Sequence, residues 1–173
     1  MAVWVRLVNA AQARELTPGL AGLLMDCVEG GASVSFMAPL DREKAEAFWL
    51  GVADGVAAGE RLLLVAEDDE GRVVGTVQVV LRQPENQPHR ADVSKMLVHR
   101  AARRQGIGEK LMRMAEDAAF LARKTLLVLD TASVDAERLY ERLEWVRVGV
   151  VPGFALLPNG LPCDTCFYYK WLV

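Results

Sequence analysis

The segment that most restricts how this chain can fold runs Val98-His99-Arg100-Ala101-Ala102-Arg103-Arg104-Gln105-Gly106-Ile107-Gly108, a basic turn closed by two glycines. An apolar stretch (90–98, RADVSKMLV) precedes it, and apolar residues at three- and four-residue spacing follow it. That change of period reads as a strand, a tight connection and an amphipathic helix. At a helix start several backbone N–H groups have no intrahelical acceptor, and the helix dipole favours negative charge. Gly106 and Gly108 carry no side chain to keep a bulky anion away from those groups. Arg100, Arg103 and Arg104 add positive charge just upstream. The segment therefore suits a phosphate or pyrophosphate, although it also reads as a plain connection bearing solvated arginines. Two other cradles do not fit. The dinucleotide fingerprint wants a third small residue where Leu111 stands, and the P-loop wants Gly-Lys-Ser/Thr where Gly108-Glu109-Lys110 stands.

Around this segment the chain reads as one domain over 1–173, with no repeat, low-complexity tract or Pro/Ser-rich linker. Residues 3–8 (VWVRLV) alternate as a strand does. Thr17-Pro18 predicts a helix start, Thr as cap and Pro at the first position, with Leu20, Leu23, Leu24 and Cys27 on one face until Gly30-Gly31. Asp41 opens a second helix, in which Ala45, Phe48, Trp49, Val52 and Val56 recur at helical spacing. Residues 61–67 and 72–82 predict a hairpin around DDEGR, followed by a strand at 91–98. The next helix is expected to align Ile107, Leu111, Met114, Ala115, Ala118 and Ala122. A short strand (125–130), a helix (134–143) and two strands (145–151 and 164–173) complete the order β-α-α-β-β-β-α-β-α-β-β. A mixed sheet with helices on both faces accommodates that order.

Charge narrows the partners. Twenty Lys and Arg against 23 Asp and Glu give a net charge of −3, and a pI near 5.5 argues against a nucleic-acid partner. No apolar run is long enough to span a membrane. The first twenty residues carry Arg6, Arg14 and Glu15 rather than an unbroken apolar core. A cytoplasmic protein is expected. Cys27 reads as a small buried hydrophobe. Cys163 and Cys166 form a lone C-x-x-C without the two further ligands that zinc requires, so no metal is expected.

The spacing Arg103-x-x-Gly106-x-Gly108 after a Leu-Val strand end resembles the acetyl-CoA signature of the GNAT superfamily of N-acetyltransferases, Gln/Arg-x-x-Gly-x-Gly/Ala. The likeness extends over nearly the whole chain, because the element order above is also the order of that fold. Over 30–40 (GGASVSFMAPL), 90–98 (RADVSKMLV) and 129–140 (LDTASVDAERLY) the chain is similar to the tabtoxin-resistance acetyltransferase branch. The resemblance implies an α/β (mixed α+β) GNAT-type fold, with a mostly antiparallel sheet of about seven strands flanked by four helices. It implies acetyl-CoA as cosubstrate. The pantetheine arm would lie like an added strand against the backbone of Leu97 and Val98. The N–H groups of Arg104, Gln105, Gly106, Ile107 and Gly108 would meet the pyrophosphate behind Arg103.

For protonating the departing thiolate the family uses a tyrosine in the pattern Asn-x-x-Ala-x-x-x-Tyr-x-x-x-Gly-Phe. Here Ala136 and Tyr140 match, whereas Ser133, Glu144 and Trp145 depart. The resemblance thus makes Tyr140 the general acid and sets Ala136 among the cofactor-binding residues, although a tyrosine on an apolar helix face is also an ordinary core residue. The attacking amine must lose a proton, and Asp92 and Asp130 are candidates to take it, directly or through water, or to attract a cationic substrate. Each has a plainer reading, Asp130 as a helix cap and Asp92 as a surface partner of Arg90. His89 and His99 read as solvated loop residues. The acceptor is expected against 30–39 (GGASVSFMAP), with Phe36 and Met37, and against 153–160 (GFALLPNG). The expected reaction is acetyl transfer to a small-molecule primary amine, with an amino-acid-like toxin or antibiotic as a candidate acceptor. A non-catalytic acyl-CoA sensor and a protein N-terminal acetyltransferase are the alternatives. A homodimer through the C-terminal strand 167–173 (FYYKWLV) is a further expectation, drawn by analogy of fold.

Overall fold

In the computed structural model, which describes residues 1–173, seven strands form one sheet. They are β1 (Val3–Val8), β2 (Arg61–Asp68), β3 (Val73–Val80), β4 (Arg90–Val98), β5 (Leu126–Thr131), β6 (Val146–Leu156) and β7 (Pro162–Trp171). The spatial order is β1-β2-β3-β4-β5-β7-β6. Only β4 and β5 are parallel; every other neighbouring pair is antiparallel. The helices are α1 (Ala10–Glu15), α2 (Thr17–Glu29), α3 (Arg42–Ala57), α4 (Ile107–Leu121) and α5 (Val134–Arg142). The mixed, mostly antiparallel α/β architecture agrees with the expectation.

Successive strand residues point to opposite faces, so β2 feeds two cores. Leu63 and Val65 join α1–α3 in a cluster with Leu20, Leu24, Trp49, Val52 and Leu97. Leu64 and Ala66 face α4 and α5, among Val77, Val79, Leu111, Leu127, Leu129, Tyr140 and Tyr168.

Several local expectations are corrected. There are five α-helices, not four, because Asn9 and Gln12 form a capping box that starts α1: Gln12 N donates to Asn9 Oδ1 at 2.8 Å and Asn9 N to Gln12 Oε1 at 2.9 Å. Thr17 is consequently not a cap. The chain passes from α1 into α2 through Leu16, and the Thr17 hydroxyl donates to the Ala13 carbonyl at 3.0 Å. In α4 the buried stripe is Ile107, Leu111, Met112, Ala115 and Ala119, leaving Met114 exposed. Alanines on two sides of that helix offer two apolar stripes, and the sheet takes the one carrying Met112. β6 and β7 reach further toward their turn than expected, β6 accommodating bulges between Arg147 and Gly149 and between Val151 and Ala155. The C-terminal strand is no free edge. β7 lies between β5 and β6, so the outer edge is β6, where Val146, Val148 and Val150 are exposed.

The parallel pairing of β4 with β5 lasts only over Arg90↔Leu126, Ala91↔Leu127 and Asp92↔Val128. On its other side β4 bulges: Ser94 opposes Gln78 and Leu97 opposes Thr76, which leaves one extra residue on β4. Lys95, in that bulge, has φ +54°. The ladder ends, the strand bends, and a gap opens between β4 and β5.

Candidate active site

That gap is a cleft of about 630 Å³, walled by residues 93–98 of β4, the turn into α4, the end of β5, α5 and the C-terminal end of α2. Leu97, Val98, Arg103, Arg104, Gly106, Ile107, Gly108, Ala136 and Tyr140 all line it, as does Asp130. Gln105 stands in the turn but off the cleft wall.

The turn is built so that its donors stay free. Arg104 and Gly106 have φ +64° and +75°, left-handed conformations that reverse the chain over a few residues. Gly106 is the N-cap of α4 and supplies no side-chain acceptor, so the first N–H groups of the helix have none. The two glycines serve different ends. A Cβ on Gly106 would meet nothing within 4 Å, whereas one on Gly108 would stand 3.0 Å from a Leu139 methyl. Gly106 provides a backbone conformation and open access; Gly108 lets α4 approach α5. Of the upstream arginines, Arg100 is committed to the end of α2, donating from Nε to Asp26 at 2.9 Å and from Nη2 to Glu29 at 3.1 Å. Burial works to raise the Asp26 pKa, but the backbone and side-chain hydrogen bonds from Arg100 outweigh it and hold the carboxyl below its ordinary value. Arg103 Nε donates to the Val98 carbonyl at 3.1 Å, and exposed Arg104 reaches Asp135 at 3.5 Å.

Across the cleft, Ser133 caps α5 through Ala136 N at 3.2 Å, which fixes the register of Tyr140. Just past the C-cap Leu143, Glu144 takes φ +65° where the family pattern has glycine. The turn is thus kept without the glycine, and Trp145 N returns to the Tyr140 carbonyl at 3.0 Å. The Tyr140 ring packs 6.0 Å from Trp145 and 5.9 Å from Tyr168. Burial, and secondarily the charge of Asp130, raise the Tyr140 pKa well above the ordinary phenol value. Near neutral pH the group is a protonated donor on the cleft wall.

Asp130, at the C-terminal end of β5, lies where the cleft meets a second pocket of about 340 Å³. Its Oδ2 accepts from Thr165 Oγ1 at 2.7 Å. Phe36 and Met37 form one wall of the second pocket, and Phe154, Leu156 and Cys163 another. The two walls are joined by Ala38 N donating to the Pro158 carbonyl at 3.0 Å and by Cys163 Sγ donating to Ser33 Oγ at 3.5 Å. Both segments expected beside the acceptor therefore meet here.

Asp92 is not brought to this place. It sits in the short β4–β5 ladder, opposite Val128, bonded by Arg90 and by Gln83 Nε2 at 3.1 Å. His89 stacks 6.4 Å from Trp171, and His99 Nδ1 accepts from Ala101 N at 3.1 Å. Sequence reasoning missed Lys95. Its Nζ donates to Ser35 Oγ at 3.2 Å and stands 5.8 Å from the centre of the Phe48 ring. The one signal for it is a cation inside an apolar strand. No group of three or more His, Cys, Asp or Glu side chains is placed to hold a metal ion, and no helix is long and apolar enough to cross a membrane.

The family described as acetyltransferase (GNAT) domain matches residues 59–147. A curated relative, an N-terminal acetyltransferase complex ARD1 subunit homolog of Dictyostelium discoideum, is 46% identical over 54 residues, 31% of this chain and 26% of its own length. The chain thus spans about a quarter of that relative. Among solved structures, an N-acetyltransferase from Staphylococcus aureus Mu50 is similar with a TM-score of 0.82 and 16% identity, each chain covered in full. A phosphinothricin acetyltransferase from Sinorhizobium meliloti in complex with acetyl-CoA is similar with a TM-score of 0.78 and 18% identity, covering 99% of this chain and 89% of that one. A ribosomal-protein-alanine N-acetyltransferase from Brucella melitensis gives 0.80 and 23%, covering 98% and 99%.

Proposed function

The chain belongs to the GNAT family of acetyltransferases, and from that premise we propose that residues 1–173 form one catalytic domain that transfers the acetyl group of acetyl-CoA to a primary amine of a small molecule. The observation that carries this reading is the pairing, across one cleft, of uncapped helix N–H groups at 106–109 with a buried, protonated Tyr140. The N–H groups hold the pyrophosphate. The open edge of β4 at Leu97 and Val98 aligns the pantetheine arm, and acetyl-CoA supplies the thioester. Asp130 orients the ammonium of the acceptor and receives its proton, directly or through a water molecule. The amine nitrogen then bonds to the thioester carbonyl carbon, the C–S bond breaks as the Tyr140 hydroxyl delivers its proton to the sulfur, and the excess proton left on the nitrogen passes to the tyrosinate, giving the neutral amide and restoring the phenol. Asp92 has no part in this sequence.

The two loops that flank the acceptor pocket of about 340 Å³ are tied together by the bond between Ala38 and Pro158, which supports a small molecule over a peptide terminus. Segments 30–40, 90–98 and 129–140 support the tabtoxin-resistance branch and resistance to an amino-acid-like toxin or antibiotic as the role. Three free cysteines suit a reducing, cytoplasmic location.

The test is release of thiol on incubation with acetyl-CoA and a panel of small amines and peptide N-termini. Turnover restricted to small amines is expected. Turnover of peptides alone would transfer the assignment to N-terminal acetylation, and stabilisation by acetyl-CoA with no turnover would make the protein a sensor.

A further inference from the structure

Three consecutive residues of β7 line the acceptor pocket, and the side chain of each is tied to a different neighbouring segment. Cys163 Sγ donates to Ser33 Oγ at 3.5 Å, in the 30–39 loop. Asp164 Oδ1 accepts from Gly153 N at 2.9 Å, in the bulged part of β6. Thr165 Oγ1 donates to Asp130 Oδ2 at 2.7 Å, on β5. Of the three, the bond from Thr165 reaches a group that the proposed transfer uses.

The strand register brings these two residues together. Asp130 faces Phe167 across the β5–β7 pairing, which ends at Thr131↔Cys166. Thr165 is two residues from Phe167, so its side chain stands on the same face as that of Asp130, diagonally across. On its other side Thr165 pairs with Val151, just before the β6 bulge. Thr165 is 4% exposed, so bulk water does not compete for its hydroxyl. The Asp130 carboxylate, by contrast, is exposed at the junction of cleft and pocket. The torsion that turns an aspartate carboxylate about its own axis is broad, so an untied group there would sweep many orientations. A short hydrogen bond to a charged oxygen removes that freedom. It also commits Oδ2, which leaves Oδ1 as the oxygen to face a ligand.

We infer that Thr165 is a positioning residue for acetyl transfer, holding the Asp130 carboxylate in one orientation with Oδ1 presented to the amine. The inference rests on the role proposed above for Asp130 and extends it to a residue that acts through that carboxylate. The Thr165 hydroxyl favours the ionised carboxylate, the form able to accept a proton. Its branched Cβ restricts the rotamers from which the hydroxyl can donate.

The experiment measures thiol release from acetyl-CoA with the small amines of the panel above. It compares the wild type, Thr165→Val, Thr165→Ser, Asp130→Asn, and Thr165→Val combined with Asp130→Asn. Thr165→Val keeps the shape without the hydroxyl and should lower kcat/KM for the amine about tenfold, the scale of a hydrogen bond to a charged group. Thr165→Ser should recover most of that loss. In the Asp130→Asn background Thr165→Val should change the rate by less than about twofold, because the pair acts as a unit. Calorimetric titration should give the same acetyl-CoA Kd for every variant and so show each to be folded; Thr165→Ala replaces Thr165→Val if the latter fails to bind. A wild-type rate in Thr165→Val would overturn this inference alone. So would a Thr165→Ser variant as slow as Thr165→Val, or an equal loss from Thr165→Val with and without the Asp130 carboxylate. An Asp130→Asn variant as fast as the wild type would overturn the role proposed for Asp130 and this inference with it. Acetyl-CoA bound with no amine acetylated would overturn the acetyltransferase reading itself.

Discussion

The wall of the cleft proposed for the cofactor and the wall proposed for the acceptor are made in different ways. The cofactor wall is backbone: a strand end, a left-handed Arg104 and Gly106, and the bare start of α4, all within residues 97–109. The acceptor wall is side chain: Phe36 and Met37 from one loop, Asp130 from β5, Phe154 and Leu156 from β6. The first depends on chain conformation and tolerates many residues so long as glycine stands at one point. The second depends on which side chains are present, and so is free to change from one acceptor to another. The Sinorhizobium and Brucella structures, named for phosphinothricin and a ribosomal-protein alanine, share this fold at similar TM-scores. The fold therefore leaves the acceptor open, and side chains must choose it.

Four substitutions would break or sharpen that contrast. Tyr140 stands between the walls and belongs to neither. Tyr140→Phe should lower kcat by about 10²-fold or more, the scale of a general acid, with the acetyl-CoA Kd unchanged by calorimetry. An unaltered kcat would remove Tyr140 from the chemistry. Gly106→Val forces a β-branched residue to φ +75° and should raise the acetyl-CoA Kd about tenfold while the amine KM stays put. Gly108→Ala, whose Cβ would press on a Leu139 methyl at 3.0 Å, should do less; an equal effect would mean both glycines serve the anion. Phe36→Ala should raise the amine KM about fivefold, as expected for losing part of an aromatic contact, and leave acetyl-CoA affinity alone. A change in acetyl-CoA affinity there would show that the two walls are not separable.

The same contrast explains what was legible in the sequence. Strand and helix periods give the sheet and both cores, and the Gly-x-Gly turn announces the cofactor wall because all its parts are consecutive. Helix α1 escaped because its capping box lies in a short polar stretch with no apolar period. The C-terminal strand looks like an edge in linear order; only the reversal of β6 and β7 across the sheet hides it. Asp92 and Asp130 read alike as strand carboxylates, and they differ only in which end of the β4–β5 gap they occupy. Lys95 is not singled out by the sequence because its partners, Ser35 and Phe48, come from distant segments. Its bulge can be seen only in the register with β3.

The brevity of the β4–β5 ladder carries a consequence for the whole molecule. Three residue pairs are the apex about which the two halves of the sheet diverge, and Arg90, Gln83 and Asp92 clamp it. Lys124 adds a tie nearby, donating to the carbonyls of Leu81 at 2.9 Å and Pro88 at 2.8 Å. A small rotation at an apex becomes a larger displacement at the mouth. On the proposed function, residues outside the cleft lining would thus bear on its aperture, and altering them should change how wide a molecule is admitted while leaving the lining residues in place.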